Sequence, residues 1–302
     1  MMKVFIAVPT LNAASVWPNF ISPLFASVPV DRVLILDSSS SDGTPDLVRA
    51  AGFRICAVAR SDFNHGGTRQ LAAELLSEAD ILVFLTQDAI LAGPDAIHTL
   101  LKAFEDIDVG AAFGRQLPRA GATPIEAHAR LFNYPAQSDV RTLDSRERLG
   151  FKTIFLSNSF AAYRREALMR VGGFPRNVLF GEDTITAAKL LQAGWKIAYV
   201  AEAQVYHSHA YSWRQDFKRY FDIGVLHARE SWLLKEFGNT GGEGGRFVRS
   251  EIRYLWYVSP WYLPSAVIRT GLKLLAYRLG RNENKMTAAL KSYLSMHPRF
   301  WT

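Results

Sequence analysis

A single carboxylate ends the apolar run Ile81-Leu82-Val83-Phe84-Leu85-Thr86-Gln87-Asp88-Ala89. Five consecutive aliphatic and aromatic residues read as a strand buried on both faces. Asp88 then emerges just past its carboxyl end, where open α/β sheets hold their ligands and where a metal-phosphate site would sit. Further on, the acidic pair Glu182-Asp183 opens a helical segment, and His207 and His209 follow another strand-like run. Together these residues point to a metal-dependent enzyme acting on a phosphorylated donor. The alternative for Glu182 and Asp183 is the ordinary preference of acidic residues for a first helical turn.

Other polar residues fall at similar places. Thr10 and Asn12 follow the first strand, and Asp37 and Asp42 follow the second within Asp37-Ser38-Ser39-Ser40-Ser41-Asp42-Gly43-Thr44. Hydroxyls, amides and carboxylates there could grip a base and ribose, although turns and N-caps use the same residue types. In Asn64-His65-Gly66-Gly67-Thr68-Arg69 the glycine pair lets backbone amides approach an anion at a helix N-terminus, and Arg69 can add a bidentate charge. The competing reading is a helix capped by Asn64 or Thr68. No Gly-x-Gly-x-x-Gly follows the first strand, which argues against a dinucleotide-binding enzyme. The single cysteine, Cys56, lies in an apolar run and reads as a small hydrophobe; one cysteine excludes an intrachain disulfide.

The elements that must position these residues alternate along the first two-thirds of the chain, the pattern of a mostly parallel sheet between helices. Val4 to Val8, Val33 to Leu36, Phe53 to Ala59, Ile81 to Leu85 and Lys196 to Val200 read as strands. Thr68 to Leu76, Ala96 to Phe104, Arg165 to Val171 and the segment from Glu182 to Ala193 read as helices, and regular structure also resumes at Phe151 to Phe155. Residues 117–150 turn polar and proline-bearing and are expected to form a long loop or short-helix excursion over the site. The glycine-rich run from Asn239 to Gly245 predicts a hinge, dividing the chain into a catalytic domain, 1–238, and a basic, aromatic helical segment, 239–302. No internal repeat is present.

At 302 residues and 49% hydrophobic content the chain can bury a large core. Its net charge of +7 is concentrated at one end, since residues 246–302 carry ten Lys/Arg against Glu251 and Glu283. Tyr254, Trp256, Tyr257, Trp261 and Tyr262 are interleaved with those cations, a mixture suited to the headgroup region of an anionic membrane; the alternative is an aromatic helical pair packed on the main domain. No apolar run reaches spanning length, and the N-terminus shows no signal-peptide pattern, so a cytoplasmic location is expected. No nucleic-acid-reading motif accompanies the basic residues, and nucleic acid is not expected as a partner.

Val-Pro-Thr-Leu-Asn, Asp-Ser-Ser-Ser-Ser-Asp-Gly-Thr, Asn-His-Gly-Gly-Thr-Arg, Thr-Gln-Asp-Ala, and Gly-Gly-Phe followed by Gly-Glu-Asp occur in the order seen in family 2 glycosyltransferases of the GT-A fold. Over residues 3 to 230 the chain is most similar to bacterial rhamnosyltransferases; the basic tail lies outside the resemblance. The resemblance implies an α/β nucleotide-sugar-binding fold in which Thr10, Asn12, Asp37 and Asp42 belong to the nucleotide pocket and Arg69 lies near the ribose or diphosphate. Asn64, Gly67 and Gln87 fall in the same donor-binding segments. Asp88 takes the place of the last Asp of the family's Asp-x-Asp motif, with Thr86 at the first position, so the motif supplies one carboxylate for Mg²⁺ or Mn²⁺. His207, or His209 two residues on and facing the same side of an extended segment, would supply a further ligand.

Asp183 corresponds to the general base that activates the acceptor hydroxyl, with Glu182 orienting the acceptor or the loop. A single displacement on the face opposite the leaving diphosphate then inverts the anomeric centre. The implied reaction moves a sugar, rhamnose from dTDP-rhamnose in the first place, onto a lipid-linked glycan of a surface polysaccharide, at the inner face of the cell membrane. Two alternatives are a nucleotidyltransferase, which would carry a Gly-rich basic loop where Val8-Pro9-Thr10-Leu11-Asn12-Ala13 stands, and a silent membrane-associated assembly subunit, which would lack Asp88 and Asp183. Asn158-Ser159-Phe160 and Trp195 could contact sugars, although Trp195 could equally anchor the core.

Overall fold

Period-two alternation in the apolar runs divides their side chains between two faces of one sheet. Phe5, Ala7, Leu34, Leu36, Leu82 and Phe84 enter one buried cluster, while their neighbours Ile6, Val8, Val33, Ile35, Ile81, Val83 and Leu85 enter another. The computed structural model describes residues 2–238 and 241–301. Its strands are β1 (Val4–Thr10), β2 (Val33–Asp37), β3 (Arg54–Ala57), β4 (Ile81–Leu85), β5 (Ile90–Leu91), β6 (Val109–Leu117), β7 (Asp139–Arg141), β8 (Phe160–Arg164) and β9 (Lys196–Tyr206). The helices before β8 are α1 (Trp17–Ser27), α2 (Thr44–Ala50), α3 (His65–Leu75), α4 (Ala96–Leu101), α5 (Pro124–Asn133) and α6 (Arg146–Leu149). After it come α7 (Arg165–Arg170), α8 (Glu182–Gln192), α9 (Trp213–Arg229), α10 (Ser231–Phe237), α11 (Gly241–Val258), α12 (Leu263–Arg281) and α13 (Ala288–Leu294).

The strands order as β3-β2-β1-β4-β8-β6-β9-β5, with β7 also on β9. Parallel pairing joins β3, β2, β1 and β4, and joins β6 to β9, whereas β8 runs antiparallel between β4 and β6. The chain can therefore re-enter the sheet at β8 from the end where β4 leaves it. Leu85 pairs with Phe160, and Thr86 N–H donates to Ser159 O at 3.3 Å. Residues preceding β8 are thereby brought to the same edge as Asp88. Ala72, Ala73, Ala187, Ala188 and Leu191 of α3 and α8 cover one face, and Trp17, Phe20, Leu24, Ile97 and Leu100 of α1 and α4 cover the other.

The excursion of residues 117–150 takes its short-helix form, and the hinge expected at 239–245 is corrected. The polar excursion after β6 holds α5, β7, α6 and a 3₁₀ turn at Gly150–Ile154; α5 starts with a capping box, Thr123 and Glu126 bonding reciprocally. The predicted hinge falls partly on Asn239 and Thr240, which lie outside the described residues, and its glycines form the first turns of α11. Gly244 and Gly245 each cost a helix about 1 kcal/mol relative to alanine, so the turn is held by packing of the later α11 residues against α5 and α12. His128 of α5 bonds Ser250 Oγ at 2.9 Å and packs on Phe247 and Tyr254. The crossing of α9 and α12 is tight because both contact positions are glycine. A Cβ on Gly280 would lie 2.0 Å from Phe221 O, and one on Gly224 2.3 Å from Tyr277 O. No helix among the described residues is long and apolar enough to cross a membrane.

Candidate active site

Asp88 leaves β4 into a loop fixed by Arg119, whose guanidinium donates to the Asp88 carbonyl. β9 runs parallel to β6, and beyond its end His207 Nε2 and His209 Nδ1 lie 3.3 and 3.7 Å from Asp88 Oδ2. One ligand atom from each of the three residues falls within 4.8 Å of the others. The orientation of His207 follows from its second nitrogen: Nδ1 lies 2.8 Å from Gln116 Oε1, an acceptor, so Nδ1 carries a proton and Nε2 faces Asp88. Gln116 is itself oriented, since its Nε2 donates to Ser157 Oγ at 2.9 Å and its Oε1 also accepts from Arg130.

Burial pushes His207 below its ordinary pKa, and burial followed by the neighbouring His207 pushes His209 down to about 4. Burial also opposes ionisation of Asp88, but hydrogen bonding to His207 and the imidazole charges outweigh it and hold the carboxyl well below its usual range. The low imidazole pKa values and the ionised Asp88 favour the protonation state that metal ligands require, a carboxylate with neutral imidazoles, and a cation would take the place of the proton that His207 shares with Asp88. The donor set fits a divalent cation. One carboxylate suits Mg²⁺ or Mn²⁺, while two imidazoles favour the softer Mn²⁺. Gln116→Ala frees the His207 ring to rotate and is expected to lower Mn²⁺ affinity about 10–100-fold, measured by calorimetric titration.

On the neighbouring strands Thr10 pairs in register with Asp37, and both are buried. Thr10 Oγ1 donates to Asp37 Oδ1 at 3.2 Å, and Ser40 gives Asp37 its N–H at 2.9 Å and its hydroxyl at 2.6 Å. Asn12, at φ +51°, donates its N–H to Ser40 Oγ at 2.8 Å and accepts at Oδ1 from Ser41 N–H at 2.9 Å. Asp42 accepts from Ala14 N–H at 2.9 Å, and its hydrogen bond from Thr44 heads the causes that lower its pKa. Gln87 clasps the Leu11 backbone, accepting from its N–H at 2.7 Å and donating to its carbonyl at 3.0 Å. These residues interlock the loops after β1, β2 and β4 into one rim, which Asn12 and Asp42 expose to solvent.

The acidic pair is presented by Gly181, whose φ of +80° turns the chain into α8; a Cβ there would also lie 2.6 Å from Leu226 Cδ2. Glu182 is buried against Arg69, Nη1 to Oε1 at 2.9 Å, and takes a 3.0 Å bond from Asn158 Nδ2. Asn158 Oδ1 accepts from the buried Tyr163 hydroxyl at 2.7 Å. Burial opposes the charge on Glu182, but Arg69, His65 and Asn158 together hold its carboxyl below the ordinary range. Asp183 is half-buried and accepts from Thr184 N–H at 2.8 Å and Asn158 N–H at 3.4 Å. Burial and then the adjacent Glu182 charge push its pKa up to about 7, the value a base needs near neutral pH.

Three sequence readings change on this geometry. Arg69 is committed to Glu182, so it supports the acidic pair instead of standing free for a phosphate. Asn64 Oδ1 caps α3 by accepting Gly67 N–H at 2.6 Å, so that amide is not available to an anion. Asn158 is buried and positions Glu182 and Asp183 in place of contacting sugar; Trp195 packs against the core. Gln116, Arg119 and Arg130 were not singled out from sequence. Their only sequence signal is an abrupt change from the apolar Val109–Gly114 stretch to polar residues at a strand's end. Arg69→Met leaves Glu182 buried and unpaired and is expected to cost about 3–5 kcal/mol of stability, read from urea unfolding.

The strand order and the antiparallel re-entry at β8 are those of the GT-A class of glycosyltransferase fold, with the acidic pair and the carboxylate–imidazole cluster both beyond the sheet's strand ends. A family match to "Glycosyltransferase like family 2" spans residues 3–221, and the chain belongs to that family. It is 45% identical to the O-antigen chain rhamnosyltransferase RfbN of Salmonella typhimurium, over 99% of this chain and 96% of that protein. It is 29% identical to the N-acetylglucosaminyl-diphospho-decaprenol L-rhamnosyltransferase of Mycobacterium tuberculosis, over 61% of this chain and 68% of that protein. Among solved structures, the mannosyltransferase PcManGT of Pyrobaculum calidifontis, in complex with GDP-Man and Mn²⁺, superposes with a TM-score of 0.58 at 22% identity, covering 97% of this chain and 85% of that one. The chain is a glycosyltransferase, and the nucleotidyltransferase and silent-subunit alternatives are set aside.

Proposed function

We propose that this glycosyltransferase moves rhamnose from dTDP-rhamnose, with inversion, onto a lipid-linked glycan of a surface polysaccharide such as O-antigen. The observation that carries the reading is Asp183, a carboxylate with its pKa raised to about 7 and held between Asn158 and Thr184 at the sheet edge that also holds Asp88. The near full-length likeness to RfbN supports rhamnose, and the mycobacterial relative's name supports a polyprenyl-diphosphate acceptor.

In this reading Asp183 takes the proton of the acceptor hydroxyl as the oxygen attacks the anomeric carbon. The bond to the diphosphate breaks on the opposite face, and the anomeric configuration inverts. Glu182, paired with Arg69, stays ionised, and its charge helps raise the pKa of Asp183 without competing for the proton. Thr10, Asn12, Asp37, Asp42 and Gln87 hold the loops of the nucleotide pocket, and Asp88 with His207 and His209 would hold Mn²⁺ or Mg²⁺. A bound cation neutralises the charge that grows on the leaving diphosphate.

The site of action in this reading is the cytoplasmic face of the membrane, reached through the basic C-terminal helices. There Trp256, Tyr257 and Trp261 are 65, 79 and 73% exposed beside the cations of α11 and α12. Thermal stabilisation tests the donor. dTDP-rhamnose with Mn²⁺ is expected to raise the melting point above UDP- and GDP-sugars, and a larger shift from either competitor would discard rhamnose.

A further inference from the structure

Beside the acidic pair lies an open cavity of about 990 Å³, at the upper end of the roughly 300–1,000 Å³ range of small-ligand pockets. Thr184, the residue after the base, lines it together with residues of α5, the 3₁₀ turn at Gly150–Ile154, α9, α11 and α12. Its walls are mainly aromatic and aliphatic: Phe132, Phe155, Phe180, Leu226, Phe247 and Leu274 among them. Three cations stand along it. Lys152 is 3.4 Å from Glu243, Lys273 is 3.8 Å from Asp216, and Arg249 is exposed, with no ion pair among the described residues.

The glycines of α11 point the same way. Gly244 and Gly245 line the cavity, and a Cβ built on either meets nothing within 4 Å. Neither requires a left-handed backbone, so no turn or close approach explains a residue that weakens the helix. What glycine does supply here is space at the wall.

We propose that this cavity binds the apolar chain of a polyprenyl-diphosphate carrier, with Lys152, Arg249 and Lys273 near the diphosphate and the carried glycan directed to Asp183. The inference deepens the lipid-linked acceptor reading and rests on it for the glycan. Three observations favour this occupant over a peptide or a free sugar. The walls are mainly apolar, three cations line them with Arg249 outside any ion pair among the described residues, and the lining residue Thr184 directly follows the base, so a ligand with a long tail, an anionic joint and a hydroxyl-bearing head fits all three. Ile252, 42% exposed at the cavity, lies on α11 with the exposed Trp256 and Tyr257, and Leu274, 51% exposed, lies on α12, which follows the turn that holds Trp261; this apolar surface gives a membrane-borne chain a route in.

The test uses farnesyl diphosphate as a probe, with inorganic diphosphate as control, titrated calorimetrically into the full chain. Gly245→Leu should fill the cavity while favouring the helix, and Leu274→Asp should charge its wall at an exposed position. Each is expected to weaken farnesyl diphosphate binding at least tenfold, with an unchanged or higher melting point for Gly245→Leu and the nucleotide-sugar shift retained in both. Equal binding by the variants, or equal affinity for inorganic diphosphate, overturns the proposal. So does full displacement of the probe by phosphatidylglycerol vesicles, which would assign the cavity to bulk lipid. These readouts need no transfer, so a different donor sugar would leave them intact. Equal KM for lipid-linked and lipid-free acceptors would reject this site while the transferase reading stands.

Discussion

Asp183→Asn protein is expected to fold and bind donor but to transfer sugar about 10²–10⁴-fold more slowly, the usual contribution of a positioned general base. The substitution keeps the size of the side chain and an acceptor oxygen for the 2.8 Å bond from Thr184 N–H, giving up only the longer 3.4 Å bond from Asn158 N–H, so the loss would report the missing proton acceptor. In the wild type, kcat/KM should climb with pH and level off above about 7, where the raised carboxyl ionises; a profile flat from pH 5 to 8 would remove Asp183 from the role. The same shift has a stability consequence of defined sign. The folded pKa lies above the ordinary value of 3.8, so between pH 4 and 7 the folded protein keeps a proton that the unfolded chain has released. Stability therefore falls as pH rises through that window. Asp183→Asn escapes the loss. At pH 8 it should be more stable than wild type by about 1–3 kcal/mol, with little difference at pH 4, measured by urea unfolding at both values.

Much of this site was legible because its key residues terminate elements that the sequence marks strongly. The run Ile81–Leu85 can only be a buried strand, so Asp88 had to stand at its end, and Gly181 before Glu182-Asp183 marks a helix start. The supporting residues were hidden for a physical reason. Gln116 and Asn158 act through contacts across large sequence separations, 91 residues from Gln116 to His207 and 24 from Asn158 to Glu182, and no periodicity carries that information. Short strands were hidden likewise. β5 and β7 are two and three residues long and owe their extended form to pairing with β9, not to local propensity. The glycines of residues 241–245 misled in the opposite direction, because flexibility is their ordinary meaning and tertiary packing overrides it. Arg69 shows the limit of local reading most directly. Its place after a glycine pair suggests a phosphate ligand, and only the fold reveals that α3 lies against α8 and delivers the guanidinium to Glu182.

Asp88→Asn should be nearly as damaging as loss of the base, because it removes the one carboxylate of the proposed cation site while keeping its shape. Without a cation the charge on the leaving diphosphate is uncompensated, and the expected fall in transfer is about 10²–10³-fold, with the Mn²⁺-dependent part of donor stabilisation abolished. The two histidines should not be equivalent. His207 is 4% exposed, its Nδ1–H is fixed by Gln116, and its Nε2 is the nearer to Asp88 at 3.3 Å. His209 stacks on Tyr211, with ring centroids 5.1 Å apart, and its side chain is 35% exposed. A ligand already held in its binding tautomer loses less freedom on coordination, so His207→Ala is expected to weaken Mn²⁺ binding at least tenfold more than His209→Ala. Calorimetric Mn²⁺ titration of both variants decides it. Equal losses would mean that Gln116 does not tune the site, and no loss in either would leave Asp88 as the single protein ligand, with waters and the donor diphosphate completing the shell as Mg²⁺ prefers.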